Sequence, residues 1–281
     1  MPWKPGQRRA QRALEDPFAD VPEHLHGPLW DWILAGLQKP TRVSLPGFGL
    51  KTVASPRDRY RNVALALRID VDLDKGPWEL AASCAADHAF MLDLVEVMLE
   101  QFGYDEGRAR ELQGLLTMAN SAYRVRDDWG GLEERVAPGV KELVSETIDT
   151  ATGSAGDHLA NAWNEAYGRK PDPVKAYSES IKAAEAAFAP LVSPQNAKQT
   201  LGTMIRDIKA KPAKWKFVIA EANVSGVDTT LNMMQMLWDG QTSRHGGTGP
   251  TRDETPEEAR AAVHLAAALV QLGVSKAFDV V

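Results

Sequence analysis

Residues 237–273 read LWDGQTSRHGGTGPTRDETPEEARAAVHLAAALVQLG, a glycine-rich loop followed by a strongly patterned helical run. The helix is predicted to begin at Thr255, whose hydroxyl can accept a hydrogen bond from an unpaired backbone amide of the first turn. Pro256 suits the first helical position, and Glu258 can complete a capping box with Thr255. This stretch therefore fixes where the last long helix of the chain starts.

The helical run has one apolar face and is predicted to end at Gly273. Apolar side chains recur at the three- to four-residue spacing of a helix with one buried side. Alanine dominates this face, so a neighbouring helix can approach closely. The predicted face consists of Ala259, Ala262, Val263, Ala266, Leu269, Val270 and Leu272.

The composition is that of a globular protein with a substantial core. The chain has 281 residues, of which 44% are hydrophobic and 25% are charged, and this length allows one large domain or two modest ones. The net charge of −6 gives no overall attraction to polyanions. Binding to a nucleic acid would therefore need a local basic patch.

The single cysteine, Cys84, cannot form an internal disulfide, and its alanine-rich surroundings predict a small buried helical residue. The N-terminal residues lack the apolar segment of a signal peptide, and no apolar run reaches membrane-spanning length. We therefore expect a cytoplasmic protein with no membrane partner. No motif for a metal or an organic cofactor is found, so none of either is expected.

The predicted fold class is mainly α, with two helical subdomains and a short β-hairpin between them. Helical periodicity dominates both halves of the chain, and the domain boundaries are placed at 1–136 and 137–281. The hairpin is predicted around the turn-forming cluster at 127–131, with Trp129 near its tip. Residues 40–50, which are rich in proline and glycine, are predicted to form a loop.

The most basic local segment contains four lysines and a tryptophan that are candidates for binding RNA. Lysines can contact phosphates, and an aromatic ring can stack on a base of single-stranded RNA. A solvated basic loop with aromatic residues in the core explains the same composition, and both interpretations stay open. The candidate residues are Lys209, Lys211, Lys214, Trp215 and Lys216.

Arg244 and His245 are the candidate catalytic residues. Histidine exchanges protons near neutral pH, and arginine can hold a phosphate or stabilise developing negative charge. Together they could cleave an RNA phosphodiester without a metal ion, with the RNA 2′-hydroxyl as nucleophile. A structural role is the alternative, in which Arg244 pairs with Asp239 or Glu254 and His245 caps the preceding helix.

Three sequence features are typical of one family of proteins. They are RHGG at residues 244–247 before an Ala/Leu-rich helix, ANAW at 160–163, and PDPVKAY at 171–177. On these features, residues 137–281 resemble the C-terminal helical domain of bacterial abortive-infection proteins, which is similar to the HEPN group of ribonuclease toxins.

This resemblance implies a HEPN-like helical bundle, often a homodimer, that acts in antiviral defence against phages. It implies an endoribonuclease with Arg244 and His245 as its catalytic residues, and an N-terminal half that senses an unknown trigger protein. The sequence departs from the family in one respect, because family ribonucleases place the Arg several residues before the His. A second function therefore stays open: a non-catalytic dimerising module that binds RNA or protein.

Overall fold

The computed structural model describes residues 16–39, 41–45, 49–101, 106–196, 199–220, 223–244 and 251–281. The chain divides into two compact units, residues 1–135 and 136–281. The division falls beside the boundary that the sequence suggests. Both units are built mainly from helices, so the mainly α prediction is confirmed. No helix in the described ranges is both long enough and apolar enough to cross a membrane.

The first unit contains five α-helices and two strand pairs among its described residues. The helices are α1 Glu23–Gln38, α2 Pro56–Leu67, α3 Trp78–Ala86, α4 His88–Gln101 and α5 Glu106–Met118. The strands are β1 Thr41–Leu45, β2 Gly49–Ala54, β3 Tyr123–Val125 and β4 Leu132–Glu134. Cys84 is fully buried in the core of this unit, as predicted.

The predicted hairpin is confirmed as the antiparallel pair β3–β4. Trp129 lies in the turn with a positive φ of 59°. The adjacent acids are neutralised locally, since Arg124 contacts Asp127 at 2.5 Å and Arg126 contacts Asp128 at 3.1 Å. These carboxylates therefore stabilise the turn.

The loop predicted for residues 40–50 is wrong, because β1 and β2 form a second antiparallel hairpin there. Val43 and Leu45 alternate with Arg42 and Ser44, which is the period of a strand. Pro46 and Gly47, which lie between the two strands in the sequence, are outside the described residues.

The second unit contains six α-helices and one strand pair among its described residues. The helices are α6 Pro138–Thr150, α7 Ala155–Tyr167, α8 Pro173–Val192, α9 Leu201–Ala210, α10 Gly226–Asp239 and α11 Pro256–Val274. A short 3₁₀ helix, Pro212–Lys214, precedes β5 Trp215–Phe217, and β6 Phe278–Val280 pairs with β5 antiparallel.

Helix α8 is central in the second unit and packs against both α7 and α11. Its contacts are made largely by small residues, which allow the helices to approach closely. The alanine-rich face predicted for α11 is buried here, including Ala259, Ala262 and Ala266. The buried alanines of α8 are Ala176, Ala183, Ala184 and Ala187.

Helix α11 begins where the sequence predicts, with a complete capping box. Thr255 Oγ1 accepts a hydrogen bond from the Glu258 amide at 3.3 Å, and the Thr255 amide donates to Glu258 Oε2 at 2.9 Å. Arg252 also donates to both carboxylate oxygens of Glu258, at 2.7 and 2.5 Å. The hydrogen bonds from Arg252 and the Thr255 amide lower the pKa of Glu258 to about 2.

The substitution Thr255→Ala should lower the free energy of unfolding by about 1 kcal/mol, because it removes the side-chain cap of α11. Urea denaturation followed by circular dichroism measures this change. The matched control is Thr251→Ala, at an exposed residue outside the helix. An equal decrease in the free energy of unfolding of the two variants would contradict a stabilising role for the Thr255 cap.

Candidate functional site

The loop between α10 and α11 is clamped at its base by Glu254. This side chain is 4% exposed, and its Oε1 atom accepts a hydrogen bond from the Ser243 amide at 2.8 Å. The Thr242 hydroxyl lies 3.4 Å from the same oxygen and donates to the Arg252 carbonyl at 2.9 Å. The chain just before Arg244 is therefore fixed to the chain just before α11.

The hydrogen bonds of Glu254 hold the chain so that Arg244 lies beside the C-terminal end of α10. Its guanidinium carbon lies 3.6 Å from the centroid of the Trp238 ring, and Nη1 donates to the Trp238 carbonyl at 2.8 Å. Stacking fixes the plane of the guanidinium, and a fixed plane is what two-point contact with a phosphate requires. The side chain is half-buried, so it keeps access to solvent.

His245, the other member of the predicted catalytic pair, lies outside the described residues, which end at Arg244 and resume at Thr251. Of the pair, the structure therefore describes Arg244. This residue precedes His245 in the sequence, lies over the Trp238 ring, and donates a hydrogen bond to the Trp238 carbonyl, next to the chain that Glu254 holds.

Tyr177 of α8 packs beneath the start of this loop. A Cβ atom added to Gly240 would collide with the Tyr177 hydroxyl oxygen, so glycine allows the close contact. Burial, assisted by the negative charge of Glu254, raises the pKa of Tyr177 to about 12. The phenol is therefore neutral near pH 7, where it can donate a hydrogen bond.

The basic segment occupies three different elements. Lys209 lies near the end of α9 and donates to Gln235 at 3.1 Å, while Lys214 ends the 3₁₀ helix. Trp215 and Lys216 belong to β5. The four lysines, including Lys211, are exposed, so they remain available for contact with phosphates.

Trp215 does not fit the base-stacking role considered from the sequence. It is 6% exposed, and its ring is stacked on Phe278 with a centroid distance of 5.5 Å. The ammonium of Lys214 lies 4.4 Å from the centroid of the indole ring. The pairing of β5 with β6 thus places this ring in the core, as the alternative interpretation of the segment expects.

The strand β5 and Arg244 are associated with opposite ends of α10. Phe217 of β5 packs against Gly226, the first residue of α10, whereas Arg244 stacks on Trp238 near its last turn. At 1.5 Å per residue, these helix positions are about 18 Å apart. The structure therefore does not bring the β5 lysine next to the catalytic candidate.

Sequence reasoning missed a polar cluster on α7 and α8. His158 Nδ1 and Lys182 Nζ each lie 2.7 Å from a carboxylate oxygen of Glu179. Burial alone would raise the pKa of Glu179, but hydrogen bonds from Lys182 and His158 outweigh it and hold that pKa below its usual range. Glu179 and Lys182 lie three residues apart on α8, but His158 lies on α7, so the sequence spacing does not reveal that the three side chains meet.

Comparison with known proteins finds no match, so a function can be argued only from the geometry of the candidate site. No family model matches the chain, and neither a curated protein nor a solved structure matches it.

Proposed function

We propose that residues 137–281 are a HEPN-like, metal-independent endoribonuclease that acts in abortive infection, an antiviral defence against phages. The observation that carries the proposal is the oriented guanidinium of Arg244, which lies over the Trp238 ring and immediately precedes His245 in the sequence. The chain thus follows an oriented phosphate-binding group with a residue type that transfers protons near neutral pH.

In the proposed reaction, the 2′-oxygen of RNA attacks the adjacent phosphorus and the bond from phosphorus to the 5′-oxygen breaks. His245 acts as the general base that removes the 2′-hydroxyl proton, or as the general acid that protonates the leaving 5′-oxygen. Arg244 stabilises the negative charge on the non-bridging oxygens. The products are a 2′,3′-cyclic phosphate and a 5′-hydroxyl.

The exposed lysines support the RNA-binding part of the proposal. Lys209, Lys211, Lys214 and Lys216 supply local positive charge on a chain whose net charge is −6. They would neutralise backbone phosphates without reading sequence, so binding should weaken as salt increases.

The second candidate function is a non-catalytic, dimerising module that binds RNA or protein. It is favoured by three apolar side chains after β5, Val218, Ile219 and Val224, which are 73%, 69% and 71% exposed. Large apolar side chains exposed close together in the sequence are compatible with a surface that binds a partner, here a second copy of the chain.

The test is cleavage of total bacterial RNA and tRNA by the purified protein in EDTA. Arg244→Ala and His245→Ala should each slow cleavage by about 100-fold or more, because each removes a group that acts on the transition state. Arg244→Lys should restore only part of the rate, since lysine lacks the planar fork of donors. The cut ends should carry 2′,3′-cyclic phosphates.

The matched control is Arg110→Ala, which removes an exposed arginine of α5 in the first unit. It should cleave RNA at the wild-type rate, and circular dichroism should show every variant folded. Absence of cleavage by folded wild-type protein that still binds RNA would favour the non-catalytic module.

A further inference from the structure

A cleft of about 630 Å³ lies in the second unit beside α8 and is lined by residues of α7, α8 and α9 and by residues 193–196 and 199. This volume is within the range of small-molecule binding sites. Its walls carry hydrogen-bond donors, acceptors and an apolar surface. These three kinds of surface define the chemistry of a ligand that would fit.

The donors are His158 and Lys182, which are held together by Glu179. The carboxylate of Glu179 is 10% exposed and contacts His158 Nδ1 through one oxygen and Lys182 Nζ through the other. The hydrogen bond that Nδ1 donates to Glu179 fixes the imidazole ring, and no residue in the described ranges hydrogen-bonds its Nε2 atom. With the proton on Nδ1, Nε2 donates to an anion as part of the doubly protonated imidazolium. His158 and Lys182 both line the cleft, where they can bind an anionic group.

The acceptors are Glu185 and Gln199. Glu185 follows Lys182 by one turn of α8, and its Oε1 atom accepts a hydrogen bond from the Leu201 amide at 2.6 Å. Gln199 Oε1 is buried and accepts no hydrogen bond from the part of the chain that the structure describes. A buried carbonyl oxygen favours a ligand that donates to it, because an unmade hydrogen bond costs free energy.

An apolar surface completes the lining of the cleft. It is formed by Ala186, Ala189 and Pro190 of α8, whereas Met204 of α9, which borders the cleft, is itself fully buried. Small apolar side chains leave room for the face of a flat ring. The ligand therefore needs an anionic group, hydrogen-bond donors and a planar apolar face in one molecule.

We propose that this cleft binds a ribonucleoside monophosphate. His158 Nε2 and Lys182 Nζ contact the phosphate, Glu185 and Gln199 accept hydrogen bonds from ribose hydroxyls or a base amino group, and the base lies on the apolar surface. Inorganic phosphate lacks the ring and a free nucleoside lacks the anion, so neither satisfies all three surfaces. The site is independent of RNA cleavage, because a chain that cuts no RNA can still bind a nucleotide here.

Isothermal titration calorimetry of the full chain with 5′-AMP, adenosine and inorganic phosphate tests the proposal. AMP should bind at least about tenfold more tightly than adenosine or phosphate, since each lacks one set of contacts. Lys182→Ala and His158→Ala should each weaken AMP binding by about tenfold or more, through loss of a charge-assisted hydrogen bond. Gln199→Ala should weaken AMP binding but leave phosphate binding unchanged.

Arg110→Ala is the matched control, because it removes an exposed positive charge from α5 in the first unit, outside both proposed sites. This variant should bind AMP as the wild type does. Lys182 is 47% exposed, so its substitution keeps the test valid if His158→Ala impairs folding. Equal affinity for AMP and phosphate, or AMP binding unaffected by Lys182→Ala in folded protein, would overturn the proposal.

Discussion

Iodoacetamide should alkylate Cys84 about a thousandfold more slowly in the folded chain than in the unfolded chain at pH 8. Burial, reinforced by the negative charge of Asp87, raises the pKa of this thiol from 9.0 to about 12. The thiolate is the reacting species, and a difference of about three pH units lowers its fraction by about a thousand. Because Cys84 is the only cysteine, mass spectrometry follows one reaction.

The reference rate is measured on wild-type chain in denaturant, and Cys84→Ser defines the background. A native rate within about tenfold of the denatured rate would contradict the buried, protonated thiol.

The contribution of the Cys84 thiol to folding stability depends on pH. The folded chain retains the thiol proton between pH 9 and about 12 while the unfolded chain loses it, so this group contributes stability that falls as pH rises through that window.

The substitution Phe188→Ala should lower the free energy of unfolding by about 3–5 kcal/mol. Phe188 is fully buried in the second unit and meets the Phe278 ring edge-on, with a centroid distance of 5.5 Å. Its ring also packs near Gly273 of α11, where an added Cβ atom would lie 3.6 Å from the ring, an ordinary van der Waals distance. Truncation would leave a cavity between α8, α11 and β6 that alanine cannot fill.

Urea denaturation of this variant is compared with that of Ile219→Ala, at a residue that is 69% exposed. The control should change the free energy of unfolding by less than about 0.5 kcal/mol. A loss below about 1 kcal/mol for Phe188→Ala would mean that the surrounding core collapses around the smaller side chain.

Features fixed by short-range interactions could be predicted from the sequence. The capping box of α11 joins Thr255 to Glu258 within one helical turn, and the turn around Trp129 pairs charges between near neighbours. Such interactions depend on the residue types and on their spacing, and both can be read from the amino-acid sequence. The same applies to the buried alanine face of α11, which follows from helical periodicity.

Features fixed by distant partners could not be predicted. Trp215 belongs to a basic segment of the sequence. Its burial depends on stacking with Phe278, which lies in β6, the strand that pairs with β5. The pairing of His158 with Glu179 likewise depends on how α7 packs against α8. For the catalytic candidate, the sequence identified Arg244, but the stacking on Trp238 and the buried Glu254 clamp needed the folded chain.

The Glu254 clamp also has a consequence for protein engineering. Because the Ser243 amide is tied to Glu254 and α11 carries its own cap at Thr255, both ends of the intervening segment are anchored independently of its length. Closing a flexible loop of twice the length costs only about 0.6 kcal/mol more. A peptide epitope or fluorophore-binding tag inserted after residue 248 should therefore leave the helical framework intact and keep Arg244 next to His245 in the sequence, which makes this segment a suitable place for a reporter.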